Sequence, residues 1–492
     1  MKKFSLLHEP WIPVLRAGRV EELDVEQALL KAHEIVRIET PSPLEETALH
    51  RLLLAILHRA LRGPKRAEDA LEWWREGRFP DDLIRTYLSH YQERFFLFHP
   101  EAPFLQVADL PEEPAPQPWT KLLPERASGH NPTLFNHNTD DSPPKASYPQ
   151  AARAILVHQT FVTGGLLRRL GVTSAEGAPL ARAAAFLPAG DTLFQTLIFN
   201  LVPYTEGHAN DDAPIWEVQP LSIDDLRDYR TVWPFSGITR VYTWPSRAVR
   251  FLDEGDGVRL MAYGPGVKPG TAVLRDPMVA LRKGNQGDAV PLRLDVDRSF
   301  WRDFTSMLPS KEGSPPATLQ HAHTLLALLE DAGEEARITL RVLGQVSDRA
   351  KILDIRREVY PLPRDMLTDD GQLVLDSALR MAEDLGRDLE SLARSLAREI
   401  LGTNDARAPT SLADSLPLKR LYWFSLDAAF PAFLDKLGRD DATAFWHGTL
   451  RHAAQQAWEF SRIFLGTQAR HLKALARAER RFASLLAGIQ GR

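Results

Sequence analysis

The sequence contains no cysteine, and this absence removes several kinds of chemistry. Disulfide bonds, thiol catalysis, iron–sulfur clusters and zinc sites with cysteine ligands are excluded, which leaves oxygen and imidazole groups as candidate ligands and nucleophiles. Charge of one sign is not in large excess either, because 60 basic residues stand against 65 acidic ones. A net charge of −5 argues against strong attraction of the whole chain to nucleic acid, so any contact with phosphate requires a local basic patch.

Long hydrophobic runs are also missing from the sequence. The mean hydropathy is −0.27, with 44% hydrophobic and 25% charged residues, values that are typical of a soluble globular protein and argue against a disordered or an integral membrane protein. Near the N-terminus, Glu9 and Pro10 follow an apolar stretch that is too short for the core of a signal peptide. We therefore predict a cytoplasmic protein with no membrane association.

The 492 residues are enough for about three domains at the usual size of roughly 150 residues. A short strand over 11–14 and a turn at Ala17 and Gly18 precede a strongly apolar helix over 44–61, whose leucines and isoleucine at three- and four-residue spacing predict one buried face. From about residue 100 to 365, short apolar runs alternate with Pro, Gly, Asn and Asp. This texture is typical of a loop-rich α+β region.

After residue 365 the texture changes to long amphipathic helices, predicted over 373–401, 418–437, 442–464 and 469–489. Glycines at 402, 438 and 466 interrupt the apolar pattern between them. Short connections between such helices are typical of a four-helix bundle. The predicted fold class is therefore α+β, with a large mixed domain over 1–364 followed by a four-helix bundle over 365–492.

Charge is distributed unevenly along this bundle. Residues 365–441 contain 15 acids and 9 bases, whereas residues 442–492 contain 2 acids and 8 bases. The last helix has basic residues mostly at three- and four-residue steps, so most of them share one face. They are Arg470, Lys473, Arg477, Arg480 and Arg481. Two interpretations remain open: a solvated face whose charges favour the helix dipole, or a surface that contacts the DNA backbone.

Candidate catalytic and metal sites are weak. The pairs His321/His323 and Asp295/Asp297 could present two ligands from a strand, but neither pair has a companion ligand at motif spacing, and ordinary surface roles are favoured. The two histidines at 50 and 58 lie on the apolar helix, where packing is the commoner role.

Glycine-rich and nucleophile motifs do not improve this picture. The glycines between 264 and 270 match neither a P-loop nor a dinucleotide fingerprint, and prolines among them remove amide donors. The sequence also contains no Gly-x-Ser-x-Gly elbow. We predict no catalytic residue, no metal and no cofactor, so the residues alone indicate a two-domain, non-catalytic scaffold with one basic helix.

A family resemblance adds a function to this scaffold. The segment from Phe4 to Val14 resembles the N-terminal signature of the CasA family, the large subunit of the type I-E CRISPR surveillance complex called Cascade. Further family-like segments follow in the expected order and extend the resemblance over nearly the whole chain. They are residues 98–106, 177–180, 191–201, 214–216, 243–245 and 275–278, and the four C-terminal helices.

The resemblance implies a protein that acts without catalysis. Members of this family recognise the protospacer-adjacent motif in double-stranded DNA, promote duplex opening and R-loop formation beside it, and help to recruit the effector helicase-nuclease. The implied partners are the other Cascade protein subunits, the guide RNA, the target duplex and that nuclease. The resemblance also implies that the domain over 1–364 carries motif recognition and docking to the complex. In such a complex base pairing with the guide reads the sequence, while the protein reads a short duplex element and its shape.

Two segments match the family's motif-reading elements. Thr163, Gly164 and Gly165 match a glycine loop, where the missing Cβ would let the backbone approach a base pair closely. Lys268, between Gly266 and Gly270, matches a lysine that contacts the groove. A plain turn and a solvated lysine are the alternatives left open.

Two further segments match other parts of the family's interface. Residues at a predicted hairpin tip, between strand-like runs over 338–343 and 352–355, match a wedge that enters the duplex at the first unpaired step, or else a charged solvent-facing turn. They are Ser347, Asp348, Arg349, Ala350 and Lys351. A long loop resembles the family segment that contacts the complex near the guide RNA. Its residues are Leu134, Phe135, Asn136 and His137.

Two other classes of function stay open. One is a metal-dependent nuclease or hydrolase whose site has no recognisable motif. The other is a structural subunit that uses its helical bundle for protein contacts only. The resemblance favours the DNA-recognition subunit over both.

Overall fold

The computed structural model describes residues 2–113, 115–126, 142–174, 176–204, 211–227, 237–268, 276–284, 286–307, 313–348, 350–403 and 407–489. The chain divides into two compact units, one of residues 1–300 and 309–359, the other of residues 301–308 and 360–492. The second unit is therefore assembled from two separate stretches of sequence. The boundary expected after residue 364, and the roles assigned on either side of it, stay predictions.

The first unit mixes strands and helices, as the sequence indicates. Its strands are β1 (Lys3–Ser5), β2 (Ile12–Arg16), β3 (Arg19–Leu23), β4 (Ile35–Ile38), β5 (Phe96–Phe98), β6 (Gln117–Pro118), β7 (Leu167–Arg169), β8 (Val172–Ser174), β9 (Ala185–Ala189), β10 (Arg247–Asp253), β11 (Val258–Pro265), β12 (Leu281–Lys283), β13 (Ala289–Pro291), β14 (Gly313–Ser314), β15 (Thr339–Asp348) and β16 (Lys351–Pro361). Its helices are α1 (Val25–Leu30), α2 (Pro43–Ala60), α3 (Ala67–Glu76), α4 (Asp81–Tyr91), α5 (Tyr148–Phe161), α6 (Leu193–Asn200), α7 (Ile223–Arg227), α8 (Ile238–Tyr242) and α9 (Ala317–Asp331).

The strands form small sheets of two or three members rather than one large sheet. Their orders are β3-β2-β4, β10-β11-β6, β13-β12-β14 and β16-β15-β9, with two-stranded pairs β1-β5 and β7-β8. Two of these sheets matter for the site. The sheet β10-β11-β6 packs against β7 and β8, and the sheet β16-β15-β9 ends in the hairpin tip between β15 and β16.

Helix α2 is the centre of the first unit. The Ser42 hydroxyl accepts a hydrogen bond from the Glu45 amide at its N-terminus, and Pro43 occupies the first turn, where no amide donor is needed. The expectation of a single buried face is wrong, since α2 is buried on nearly every side and packs against α4, α5, α8 and β15. The buried Glu46 carboxylate of this helix is paired, since it binds Arg341 and Arg357 at 2.6 and 2.8 Å.

The second unit is helical and contains the four long helices predicted from the sequence. Its helices are α10 (Asp369–Leu401), α11 (Arg407–Ser415), α12 (Leu418–Leu434), α13 (Ala442–Leu465) and α14 (Ala469–Gly488). The short α11 is an addition to the prediction. The Trp301 ring, from the separate stretch of this unit, stacks on Phe430 with ring centroids 4.5 Å apart, and its indole N–H donates to Asp427 at 2.6 Å.

Two local expectations need correction. His321 and His323 belong to helix α9, not to a strand. His321 is buried rather than on the surface, and its ring nitrogen Nε2 lies 3.1 Å from the carbonyl oxygen of Ile198.

Every helix among the described residues is too short or too polar to span a lipid bilayer.

Candidate nucleic-acid interface

The glycine loop, residues 162–166, begins where helix α5 ends. Helix α5 starts with a reciprocal cap in which Ser147 and Gln150 each bond the other's backbone amide. At its other end, the Val162 carbonyl accepts a hydrogen bond from the Ala178 amide at 2.8 Å. The first residue of the loop is therefore fixed by a backbone hydrogen bond. Along the loop, Thr163 is half-buried and Gly165 is exposed.

The glycine loop lies against the hairpin tip between β15 and β16. The Thr163 hydroxyl donates a long hydrogen bond of 3.5 Å to the carbonyl oxygen of Ala350. A methyl group added at Gly165 would lie 3.8 Å from the Cβ of Ala350, which is ordinary van der Waals contact. Two segments that are almost two hundred residues apart in sequence thus form one surface, and both were candidate site segments.

The hairpin tip itself presents polar residues to solvent. Asp348, Ala350 and Lys351 are exposed and Ser347 is half-buried. Arg349, the residue favoured for the wedge position, lies outside the described residues. The loop residues Leu134, Phe135, Asn136 and His137 also lie outside them, so their assignments stay predictions.

A buried amide links the hairpin to the end of helix α5. Gln345 of β15 is 2% exposed, and its side-chain NH₂ donates to the carbonyl oxygens of Phe161 at 2.7 Å and Ala181 at 3.0 Å. A buried carbonyl without a donor is costly, so these two bonds fix the relative position of three segments. Gln345 therefore connects the strand that leads into the hairpin tip with the residue just before the glycine loop.

A buried guanidinium holds the glycine loop from below. Arg247 of β10 is 4% exposed and donates to three backbone carbonyls: Ser246 at 2.7 Å, Thr163 at 3.2 Å and Glu176 at 2.8 Å. No carboxylate among the described residues forms an ion pair with it. Among the described residues, its charge is therefore balanced by peptide dipoles and by a hydrogen bond with the Tyr263 side chain rather than by a carboxylate, and it contributes positive potential next to the loop.

Gly177 completes the support of the loop. A Cβ at this position would lie 3.0 Å from the Gly164 amide nitrogen and 3.1 Å from the Cβ of Ala181. These distances are tighter than most Cβ contacts, so a side chain at residue 177 would require Gly164 and Ala181 to shift by a few tenths of an ångström.

Lys268 is anchored to the same part of the fold as the glycine loop. The amide of its neighbour Val267 donates to the Pro245 carbonyl at 3.1 Å, and Gly266 packs directly on the backbone of Pro245 and Ser246. Since Arg247 follows immediately and binds Thr163, the turn at residues 245–247 holds both Lys268 and the loop. Lys268 is half-buried, and the seven residues after it lie outside the described part of the chain.

The histidine nearest the loop does not add to its charge. His158 is buried in α5, where its Nε2 lies 3.0 Å from the Tyr263 hydroxyl. Burial, reinforced by the charge of Arg247, lowers the pKa of His158 to about 3. Its imidazole is therefore neutral at physiological pH, and the positive potential near the loop comes from arginine.

In the second unit, the five basic residues of α14 are all exposed, beside the face buried through Ala474, Ala478 and Phe482. They are not equivalent. Arg477 forms an ion pair with Glu399 of α10, and Arg481 donates to the Ser391 hydroxyl at 2.9 Å. Arg470, Lys473 and Arg480 make no hydrogen bond or ion pair with any residue that the structure describes.

Metal ligands are not gathered anywhere in the described ranges: no group of three or more His, Asp and Glu side chains is arranged to hold an ion. Asp295 and Asp297 lie in an exposed turn in which the Asp297 amide donates to the Asp295 carboxylate at 2.9 Å.

Sequence reasoning missed the residues that position the loop, namely Arg247, Gln345 and Gly177. A weak signal existed for two of them. Gln345 is a polar residue within the otherwise apolar core of a strand, and Gly177 opens one of the family-like segments. Arg247 gave no signal, because its partners lie 71 and 84 residues away in sequence.

Together, the fold and this site define a class of protein: a mixed α+β unit that presents a glycine loop beside a hairpin tip, followed by a helical bundle. Within that class, the chain belongs to the family described as CRISPR-associated protein Cse1, whose family model matches residues 5–457.

Known relatives agree with this membership over the full length. The chain is 60% identical to CRISPR-associated protein CasA/Cse1 of Thermus thermophilus over 494 residues, which covers 99% of this chain and 98% of the relative. The crystal structure of Thermus thermophilus CasA (Cse1) superimposes with a TM-score of 0.92 at 58% identity and covers 99% of this chain and 100% of that one.

A more distant structure shares the fold. A chain of a structure described as a CRISPR RNA-guided surveillance complex matches with a TM-score of 0.78 at 21% identity, covering 99% of this chain and 100% of that one. At this identity the likeness shows the fold alone.

Proposed function

We propose that this chain is the non-catalytic large subunit of a type I-E CRISPR surveillance complex in the cytoplasm. It recognises the protospacer-adjacent motif in double-stranded DNA, promotes duplex opening and R-loop formation beside it, and helps to recruit the helicase-nuclease. Membership of the Cse1 family supports the assignment as the large subunit of the complex. The arrangement of the glycine loop and the hairpin tip supports the role in motif recognition and duplex opening.

The observation that carries the proposal is the direct contact between the glycine loop and the hairpin tip. Reading a motif and separating the strands beside it are successive events on one duplex, so the two elements must lie within a few base pairs of each other. The Thr163 hydroxyl donates to the Ala350 carbonyl at the hairpin tip, and a Cβ added at Gly165 would lie 3.8 Å from the Cβ of Ala350. A duplex whose groove rests on Gly165 would thus lie next to Ala350 of the hairpin tip.

The chemistry of the loop suits a groove that carries little base information. The minor groove offers few donor and acceptor differences between base pairs, so a close backbone approach and a few polar groups are sufficient. Gly165 is exposed and has no side chain to prevent that approach. Lys268, held by the same turn as the loop, supplies a cationic group nearby.

Assembly with other subunits requires surface for protein contacts, and α13 offers it. Phe460, Ile463 and Phe464 are 58%, 68% and 58% exposed and follow three- and four-residue spacing along one face. A contiguous apolar stripe of this kind is typical of a protein interaction site. We propose that this stripe takes part in assembly of the complex, in which the chain contacts the other Cascade subunits and the guide RNA.

The test is target-duplex binding by the guide-RNA complex, assembled with and without this chain, on DNA that bears or lacks an adjacent motif. Motif-dependent binding and strand opening that appear only when the chain is present are the expected result. If binding does not depend on the chain, or the chain never joins the complex, the proposal fails.

The two other classes of function give different results in the same preparation. Hydrolysis of DNA or RNA by the isolated chain with Mg²⁺ or Mn²⁺, persisting through repurification, would make it an enzyme. Normal assembly with motif-independent binding would leave it a structural subunit.

A further inference from the structure

A short hairpin continues directly from the glycine loop. Strands β7 and β8 pair antiparallel, with Arg169 opposite Val172, and the turn between them has Leu170 at φ 59° and Gly171 at φ 78°. Positive φ at both turn residues is the geometry that keeps a two-residue hairpin in register. Since the hairpin also packs on β11, it is a fixed extension of the loop.

The chain contains a second hairpin with the same turn, which serves as an internal reference. Between β2 and β3, Ala17 has φ 49° and Gly18 has φ 74°. The residue before this turn, Arg16, forms ion pairs with Glu34 at 2.6 Å and Glu21 at 3.0 Å. In the β2–β3 hairpin, the arginine before the turn is thus neutralised by two carboxylates of the chain itself.

Arg169 occupies the corresponding place before the β7–β8 turn, yet its environment differs. Among the described residues, its guanidinium donates only to the carbonyl oxygens of Ala115 and Tyr263, both at 3.4 Å, which are long and weak bonds. Arg168 beside it is exposed. Neither forms an ion pair with any carboxylate that the structure describes.

The surroundings reinforce this positive charge. Residues 162–174 include no acidic residue, and the charge of Arg247 beneath Thr163 also lacks a carboxylate partner among the described residues. Leu166, between the loop and β7, is 65% exposed. Arg168 is exposed and Arg169 half-buried, and neither has a carboxylate partner among the described residues. Such guanidinium groups are suited to bind an external anion, because their planar geometry matches phosphate oxygens.

We propose that Arg168 and Arg169 bind the sugar-phosphate backbone of the target duplex next to the motif. This inference rests on the proposed function, in which the adjoining glycine loop approaches the groove. Successive side chains of a strand point to opposite faces, so the two arginines contact different phosphates. Contacts of this kind position a duplex without reading its sequence, and they would hold it while the loop reads the motif.

The experiment uses the complete guide-RNA complex assembled with the full-length chain carrying Arg168→Gln, Arg169→Gln or both. Target-duplex affinity is measured between 50 and 200 mM salt. Each lost phosphate contact should reduce the magnitude of the slope of log affinity against log salt by about 0.9. Between 50 and 200 mM salt, the factor by which affinity falls should therefore be roughly ten times smaller for the double variant than for the parent. Affinities for duplexes with and without the motif should fall in equal proportion.

Arg19→Gln is the matched control, because Arg19 is an exposed arginine beside the equivalent turn of the β2–β3 hairpin, and it should leave the slope unchanged. Arg169→Lys keeps the charge, so the complex with this variant should retain most of the salt slope of the parent. Unfolding temperatures of all variants are compared first, and only variants that match the parent are used.

An unchanged salt slope in the double variant overturns the inference, even if the parent complex binds in a motif-dependent manner. Weaker assembly with the guide-RNA complex at unchanged duplex affinity overturns it in favour of an RNA contact. Absence of motif dependence in the parent complex instead removes the proposed function itself, so the two failures are distinguishable.

Discussion

Gly165 does not need to be glycine for the internal structure of this chain. Its φ lies outside the left-handed region, and a methyl group there would meet the Ala350 Cβ at an unstrained 3.8 Å. By contrast, a Cβ at Gly177 would lie only 3.0 Å from the amide nitrogen of Gly164, so that position is constrained by the internal packing. Internal packing therefore does not account for the glycine at 165, which is consistent with the proposed approach of a DNA groove to this position.

We predict that Gly165→Ala leaves folding stability within about 0.5 kcal/mol of the parent, as is usual for a surface substitution, but weakens motif-dependent duplex binding several-fold. A thermal melt and a binding titration of the assembled complex measure the two effects. Gly448→Ala is the control, because a Cβ there meets nothing within 4 Å and the position lies within helix α13. Equal loss of assembly and duplex binding in the Gly165 variant would indicate a structural role.

At the scale of secondary-structure elements, Gln345 links strand β15, which leads into the hairpin tip, with Phe161, the residue just before the glycine loop. Gln345→Met keeps the volume but leaves the carbonyl oxygens of Phe161 and Ala181 without their donor. We expect a loss of stability of about 1–3 kcal/mol, as is typical for unsatisfied buried groups. We also expect strand opening to fall more than duplex capture, because the loop remains while its link to β15 is lost.

Permanganate reactivity of unpaired thymines, measured beside duplex affinity in the same complex, separates opening from capture. A control is Arg94→Met, which likewise removes donors from two backbone carbonyls, those of Val218 and Ile215. If both variants reduce opening equally, the effect is a general loss of stability and the proposed link is incorrect.

The basic helix α14 gives a graded prediction. If it contacts the DNA backbone, neutralising Arg470, Lys473 and Arg480 together should reduce the salt slope of binding by up to about 2.7, since these three make no bond with described residues. Neutralising Arg477 and Arg481 should have a smaller effect, because the first is paired with Glu399 and the second with Ser391. Equal slopes in all variants and the parent would identify the basic residues as a solvated helix face.

Elements defined by local sequence were predictable, and those held by distant contacts were not. The four long helices of the second unit follow from apolar spacing and glycine stops, so their predicted ends lie within four residues of the observed ones. The complete burial of α2 was missed because it depends on ion pairs with residues more than two hundred positions away. Likewise, the meeting of the glycine loop and the hairpin tip depends on contacts across 187 residues, which no local pattern encodes.

At the scale of the whole molecule, acid should destabilise the first unit. Burial lowers the pKa of His50, His58 and His321 to about 4, and that of His158 to about 3. These depressed values mean that the neutral histidines contribute their stability fully above pH 6.5 and lose it as pH falls toward 4. Each contributes on the order of 3 kcal/mol over that interval, at up to about 1.4 kcal/mol per pH unit.

We therefore predict that the unfolding temperature of the first unit falls steeply between pH 6.5 and 4, measured by calorimetry at several pH values. Asp24 and Glu45, whose pKa values burial raises, act in the opposite sense but are fewer. His321→Leu should reduce the number of protons taken up on unfolding in this range by about one, which makes the unfolding temperature less dependent on pH. His90→Asn, at an exposed histidine, is the control. A melting temperature independent of pH in this range would contradict the burial of these imidazoles.

The interrupted sequence of the second unit has a consequence for synthesis on the ribosome. Trp301 is translated 126 residues before Asp427, the residue that receives its indole hydrogen bond. At a translation rate of about 5–20 residues per second, this stretch waits roughly 6–25 seconds for its partners. A recombinant fragment starting at residue 360 would lack the tryptophan that stacks on Phe430, and a short synthetic peptide of residues 301–308 should fill the resulting gap in trans.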